Sequence, residues 1–113
     1  MREFDLKYSP EEFLALAGKV KPRLYSISSS PDAHPGLVEL TVGIVRFEYH
    51  GRKRGGLCTL YMADEIDTSG APIGVFMSPT KSFVLPEDKD IDIIMVGPGT
   101  GIAPFRAFME QRV

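Results

Sequence analysis

An arginine, a tyrosine and four serines stand close together in RLYSISSSP, residues 23–31. On an extended strand, Arg23 and Tyr25 point to one face, and Leu24 and Ser26 to the other. A guanidinium holds phosphate through paired hydrogen bonds, and a phenol ring stacks on flat ligands. Ser26 adds a hydroxyl and a backbone N–H. These residues predict a site for a ligand with a phosphate and a flat ring; the alternative is an edge strand with one surface ion pair.

A second candidate phosphate site is GPGTGIAP, residues 97–104. Glycines at 97, 99 and 101 allow a tight turn and a close approach of phosphate to the backbone, just before a helix N-terminus. No lysine follows them, so the segment is not a P-loop, and Pro104 stands where a full Rossmann fingerprint has its third glycine. The alternative is a strand-to-helix turn that binds no ligand.

A third candidate is GGLCT, residues 55–59, which follows the basic run Arg52, Lys53 and Arg54. Glycines that lead into a helix start, beside positive charge, favour anion binding. A solvated basic hairpin loop is the alternative. Two phosphate sites and one stacking tyrosine together suggest a dinucleotide with a flat ring, bound beside a second nucleotide.

The elements that position these residues are predicted from periodicity and breakers. Ser9 is a good N-cap and Pro10 suits the first helical turn, so a short helix should run from there to Gly18. Strands are expected at 23–29, 37–49 and 73–78, a turn at 30–36, a basic loop at 50–56 and a helix at 57–66. The apolar run 91–97 predicts a buried parallel strand, followed by the glycine turn and a helix over 102–113.

Composition narrows the class of protein. The 113 residues suffice for one domain, and 43% of them are hydrophobic. A net charge of −2 argues against a nucleic-acid binder held by a general basic field. The single cysteine, Cys58, fits a reducing, cytoplasmic setting, and no run is apolar enough to cross a membrane or act as a signal segment. His34 and His50 have no second ligand at a metal spacing, so no metal site is expected.

The sequence resembles a known family at these motifs. RLYSISS matches the R-x-Y-S-x-x-S flavin motif of the ferredoxin–NADP reductase superfamily, and GPGTGIAPFR matches its first NADP loop. The segments VELTVGIVRFE, GRKRGGLCT and SFVLPEDKD are similar to the diflavin reductases of the bacterial sulfite reductase type. The resemblance runs from about residue 20 to the end of the chain.

The resemblance implies a role for each matching residue. Arg23 would hold the FAD pyrophosphate, Tyr25 would stack on the isoalloxazine ring, and Ser26 would be the catalytic residue near the hydride-accepting edge. Phe47 stands where the family often has tyrosine, and Leu60 where a small polar residue is usual. The remaining residues implied to contact FAD are Leu24, Thr41, Val42, Gly43, Gly56, Leu57, Cys58 and Thr59, and those implied to lie under the NADP phosphates are Gly99, Thr100 and Gly101.

The resemblance also implies a fold and an electron path. The expected fold is mixed α+β, mainly β: a lead-in (1–20), a partial antiparallel FAD-binding barrel (21–90) and the first βα unit of an NADP-binding domain (91–113). NADPH would reduce FAD, and electrons would pass to FMN elsewhere in a longer parent protein and then to a haem and iron–sulfur sulfite reductase subunit. The length predicts an internal piece of a reductase or a truncated product, with open strand edges prone to self-association. A non-catalytic remnant and a simple nucleotide-binding module are the alternatives.

Overall fold

A computed structural model describes residues 7–66, 70 and 72–113. Helix α1 spans Pro10–Leu16. The Ser9 hydroxyl accepts from the Glu12 backbone N–H at 3.2 Å, and the Glu12 carboxylate accepts from the Ser9 backbone N–H at 2.8 Å. This reciprocal capping box, with proline in the first turn, satisfies two otherwise unpaired donors. The predicted first helix is confirmed, although it ends at Leu16 with Ala17 as its C-cap, before Gly18.

A two-stranded antiparallel sheet follows, made of β1 (Arg46–Tyr49) and β2 (Arg52–Gly55). Arg46 pairs with Gly55, and Tyr49 with Arg52. The connection is His50-Gly51, and both residues have positive φ, 50° and 66°. Such left-handed two-residue turns match the twist of a hairpin. The prediction of a loop over 50–56 is therefore wrong for residues 52–55, which form β2. The tight turn reverses the chain, so the basic run Arg52–Arg54 pairs with β1.

The helix predicted at 57–66 is present, but it changes its hydrogen-bond pattern. Helix α2 spans Leu57–Leu60, and a π-helical segment, Tyr61–Glu65, continues it. Gly56 is the N-cap, and its carbonyl accepts from the Leu60 N–H at 2.9 Å. The wider π turn was not predicted from the sequence.

The glycine turn and the helix after it are also confirmed. A 3-10 turn over Gly99–Ile102 leads into α3, Ala103–Arg112. Gly99 has a φ of +58°, which favours glycine because it has no Cβ. A Cβ on Gly97 would lie 2.5 Å from the Gly101 carbonyl oxygen, so this turn closes on itself too tightly for a side chain.

The strands predicted at 23–29, 37–45, 73–78 and 91–97 are not formed as strands in the part of the chain that the structure describes. One antiparallel bridge joins Ile27 to Leu40, and β1 is the last part of the predicted strand 37–49. A strand is defined by a hydrogen-bonded neighbour, and apolar runs such as 91–97 have none among the described residues. The described residues thus form helices with a small antiparallel sheet, which agrees with a mixed α+β class. The expectation that the fold is mainly β is wrong for these residues, because their two strands have four residues each.

The molecule is elongated, and polar residues occupy much of its small interior. It measures 64 × 29 × 29 Å, with a radius of gyration of 19.6 Å; a compact domain of similar length has about 13 Å. The buried residues in the described part are Ala103, Ser28, Ser29, Ser30 and Thr59. Among the described helices, none has the length and apolar character to cross a bilayer.

Candidate functional site

The segment 23–26 keeps its arginine and serine exposed and half-buries its tyrosine. Arg23 donates from Nη1 to the Lys21 carbonyl oxygen at 2.9 Å. Interaction with the Cys58 side chain raises the pKa of the Tyr25 phenol above its ordinary value. Partial burial and the nearby thiol charge act in the same direction, while the Arg23 charge opposes them. The structure therefore brings the first motif to the start of α2.

The start of α2 is tied to the residue that precedes β1. The Gly56 N–H donates to the Val45 carbonyl at 3.0 Å, and the Val45 N–H donates to Thr59 Oγ1 at 3.2 Å. The Thr59 hydroxyl donates in turn to the Gly56 carbonyl at 3.2 Å. A Cβ on Gly56 would lie 2.7 Å from Thr59 Oγ1, so this contact requires glycine. Thr59, predicted to contact a cofactor, thus uses its hydroxyl to hold the loop, while Leu57 is 70% exposed.

The glycine turn before α3 lies against the segment 41–43. A Cβ on Gly43 would meet Thr100 Cγ2 at 3.3 Å, which places these two predicted site residues side by side. Thr41 and Val42 are half-buried, and the residues Gly99, Thr100 and Gly101 are exposed. The second phosphate motif is consequently joined to the chain segment that leads into Val45 and β1.

Two predicted site residues, Leu24 and Phe47, are less closely connected to the contacts described above. Leu24 is 69% exposed. Phe47 lies on β1 opposite Arg54 and is 53% exposed. It lines an open hollow of about 400 Å³ together with Arg46, Lys53 and Leu60, whereas Tyr25 does not line that hollow.

The serines after Ser26 have a structural role that the sequence analysis missed. The Ser28 N–H donates to the Glu39 carbonyl at 2.8 Å, and the Glu39 N–H donates to Ser29 Oγ at 2.9 Å. Ser30 Oγ accepts from the N–H groups of Asp32 at 3.2 Å and Ala33 at 3.4 Å, as a serine does at the start of a turn. The SPD turn was the available signal, because serine and aspartate stabilise turns with such bonds.

Helix α3 holds this serine segment from the other side. The Ser30 N–H donates to Glu110 Oε2 at 3.0 Å, and the Ser30 hydroxyl is hydrogen-bonded to Gln111. Arg106 pairs with Glu39 at 2.5 Å and with Glu110 at 3.0 Å. The spacing of Arg106 and Glu110, one helical turn apart, is visible in the sequence and is typical of a surface pair. Its connection to residues 28–39 is a result of tertiary structure.

Glu110 is the most connected carboxylate of this region. The Ser30 N–H lowers the pKa of Glu110, partial desolvation opposes the shift, and the positive charges of Arg106 and His34 support it. His34 Nε2 lies 3.5 Å from Glu110 Oε2. The carboxylate is therefore favoured in its ionised form by donors from two separate segments.

The described residues contain no group of three or more histidine, cysteine, aspartate or glutamate side chains arranged to hold a metal ion. His34 and His50 both lie in turns or bends, as the sequence indicated.

Comparison with known proteins gives a consistent assignment. A family model described as an FAD binding domain matches residues 2–61. Three curated relatives, each named sulfite reductase (NADPH) flavoprotein alpha-component, are 45–47% identical. They come from Mannheimia succiniciproducens (47% over 112 residues), Bacillus subtilis (46% over 104 residues) and Zymomonas mobilis (45% over 112 residues).

These alignments cover 99%, 92% and 99% of this chain, but 19%, 17% and 18% of the respective relatives. The chain thus spans less than a fifth of the length of each of these proteins. The resemblance predicted from RLYSISS and GPGTGIAPFR, to flavoprotein reductases of the sulfite reductase type, is confirmed.

Proposed function

This chain belongs to the FAD-binding domain family, and we propose that it forms the FAD- and NADPH-binding part of a flavoprotein reductase. The observation that carries this proposal is the convergence of four separate motifs. The Cys58 side chain lies near enough to Tyr25 to raise the pKa of its phenol, the Gly56–Thr59 loop is hydrogen-bonded to Val45, and Gly43 lies against Thr100. Residues far apart in sequence therefore form one continuous cluster.

The residues of this cluster fit FAD. Arg23 is exposed and can pair with a pyrophosphate, and Tyr25 offers a half-buried ring for stacking. Gly56 has no side chain to cap α2, which leaves amides of the first turn available to an anion. Ser26 is exposed next to Tyr25 and is assigned to the reactive edge of the ring. Further contacts are assigned to Leu24, Thr41, Val42, Gly43, Phe47, Leu57, Cys58 and Thr59.

The glycine turn fits the phosphates of NADPH. Gly99, Thr100 and Gly101 are exposed, and the turn runs directly into α3. Backbone amides at such a turn favour phosphate because the helix dipole adds partial positive charge there. When both nucleotides are bound, NADPH supplies a hydride and FAD accepts it. The task of this chain is to bind the two and to orient them.

The wider electron path is proposed from the relatives. These relatives are named as the flavoprotein alpha-component of an NADPH sulfite reductase. We assign electrons from FAD to FMN in a longer parent protein and then to a sulfite reductase subunit that carries haem and iron–sulfur centres. The division into a lead-in (1–20), a partial FAD-binding barrel (21–90) and the start of an NADP-binding domain (91–113) belongs to this proposal. So does self-association through the apolar segments 73–78 and 91–97.

The test is flavin retention by the whole 113-residue chain. After mixing with FAD and desalting, we expect a visible flavin band to stay with the protein. The Arg23→Ala variant should bind FAD more weakly by about 1.5–3 kcal/mol, the scale of a hydrogen bond to a charged group. Arg46→Ala is the matched control, because the Arg46 guanidinium already pairs with Asp64 at 2.8 Å.

Loss of the flavin on desalting would contradict the proposal and favour a remnant that keeps the motifs without the cofactor. Equal weakening by Arg23→Ala and Arg46→Ala would indicate non-specific charge attraction. Phosphate binding that is unaffected by Tyr25→Ala would favour a nucleotide-binding module that uses the glycine turn alone.

A further inference from the structure

A set of polar contacts joins the serine segment, Ser28–Ser30, to α3. We name it the serine–helix network and define it as Ser28, Ser29, Ser30, Glu39, Arg106 and Glu110. It lies between the two halves of the proposed site, since Tyr25 precedes Ser28 by three residues and Gly101 precedes Ala103 by two. The flavin motif and the nucleotide turn thus each continue directly into the same network.

The network is a closed ring of polar contacts. The Ser30 N–H donates to Glu110, Glu110 pairs with Arg106, and Arg106 pairs with Glu39. The backbone of Glu39 returns to the start through Ser28 and Ser29. Each link involves either a charged group or a buried serine, and such bonds are stronger and more directional than exposed neutral ones.

The serine part of this ring is buried. Ser28, Ser29 and Ser30 are 0%, 3% and 1% exposed, although serine is usually a surface residue. Glu110 uses both carboxylate oxygens, Oε2 for Ser30 and Oε1 for Arg106. Removing that side chain would leave the buried Ser30 N–H without its acceptor and Arg106 without one of its two partners.

We propose that Glu110, together with Arg106, is a positioning residue that fixes the flavin-stacking segment relative to the nucleotide turn. This inference rests on the proposed function, because it assigns a purpose to the distance between the two cofactor motifs. Glu110 touches neither predicted cofactor site directly and acts through the Ser30 amide. Binding of FAD and binding of the nicotinamide nucleotide are then thermodynamically coupled through α3.

The first experiment needs no cofactor. Amide hydrogen exchange of the whole chain is measured for the wild type, Glu110→Ala, Glu110→Gln and the control Glu87→Ala, which removes an exposed loop glutamate of equal charge. In Glu110→Ala, residues 23–30 and 97–102 should both exchange about tenfold faster, the factor expected for one lost hydrogen bond. Glu110→Gln keeps an acceptor for Ser30 and should restore part of the protection. Faster exchange confined to residues 28–34 would overturn the proposal, because Glu110 would then be only a local support.

The second experiment measures the coupling itself. The Kd of FAD is determined with and without saturating NADP+. We expect a ratio of about fivefold or more in the wild type, a ratio near one in Glu110→Ala, and an intermediate ratio in Glu110→Gln. A wild-type ratio of one, or an unchanged ratio in Glu110→Ala, would overturn the positioning role. Failure of the wild type to retain FAD would instead refute the proposed function. The hydrogen-exchange experiment would still test whether Glu110 supports both residues 23–30 and residues 97–102.

Discussion

The serine segment, Ser28–Ser30, is buried although it is polar, whereas the segments 73–78 and 91–97 contain strongly exposed apolar side chains. Ser28 and Ser30 are 0% and 1% exposed, whereas Ile94 and Val75 are 94% and 86% exposed. Ser28, Val75 and Ile94 all lie in segments that were predicted as strands, whereas Ser30 lies in the predicted turn 30–36. The serine segment has bonding partners in Glu39 and α3, and the apolar segments have no strand beside them among the described residues.

The difference shows that partners decide burial here more than hydrophobicity does. The hydroxyls of Ser29 and Ser30 are hydrogen-bonded to Glu39 and within the turn, and such bonds compensate for the burial of polar atoms. A strand of isoleucine and valine needs a neighbouring strand for its backbone and a covering layer for its side chains. Among the described residues the apolar runs have neither, and their side chains stay exposed.

The largest effect on stability should come from adding a side chain at Gly97, in the glycine turn between the apolar segment 91–97 and α3. In Gly97→Ala, the new Cβ would lie 2.5 Å from the Gly101 oxygen and 2.6 Å from Phe105 Cε2. We expect the free energy of unfolding to fall by about 1–3 kcal/mol, as in other overpacked sites. Urea denaturation followed by circular dichroism measures it.

The matched control is Gly74→Ala in the exposed apolar segment. A Cβ there meets nothing within 4 Å, so its effect should stay within about 0.5 kcal/mol or be slightly stabilising. Equal losses for the two alanine variants would show that the two regions are not packed differently.

A smaller effect tests the inverted burial directly. Ser30→Ala removes the hydroxyl that accepts from Asp32 and Ala33 and is bonded to Gln111. It should destabilise the protein by about 0.5–1.5 kcal/mol, the net contribution of a typical intramolecular hydrogen bond. Ile94→Ser, at a far more apolar position, should change stability by no more than about 0.5 kcal/mol.

Ser28→Ala is the control for the serine segment, because the Ser28 hydroxyl has no hydrogen-bond partner among the described residues. It should cost clearly less than Ser30→Ala when both are measured by urea denaturation. A larger loss for Ile94→Ser than for Ser30→Ala would reverse the comparison and show that the apolar segment is packed in solution.

The smallest effect concerns the contact between Tyr25 and Cys58. The Cys58 side chain raises the folded-state pKa of Tyr25, so this interaction stabilises the protein fully below the ordinary tyrosine pKa. That contribution is lost as pH rises through the raised value. Cys58→Ala should bring the Tyr25 pKa back towards its ordinary value, and Cys58→Ser should keep much of the shift. Phenolate absorbance in an alkaline titration measures this, with Tyr25→Phe identifying the signal; identical curves for wild type and Cys58→Ala would contradict the contact.

Local signals in the sequence determined several elements correctly. Ser9 with Glu12, and Pro10 between them, specified α1 because a capping box depends only on neighbouring residues. Gly99 with its positive φ specified the turn before α3 for the same reason. The flavin and nucleotide motifs, RLYSISS and GPGTGIAPFR, were likewise sufficient to indicate the family.

Tertiary structure decided what the local pattern left open. Whether residues 73–78 and 91–97 form strands depends on neighbouring strands, which the periodicity of a short segment does not specify. The tight turn at His50-Gly51 places residues 52–55 beside β1, so they form β2 where a loop was expected. The burial of Ser28–Ser30 depends on Glu39 and on Glu110, which is 80 residues from Ser30 in sequence. Propensity is a property of a short segment, whereas burial and pairing are properties of the groups that meet across the fold.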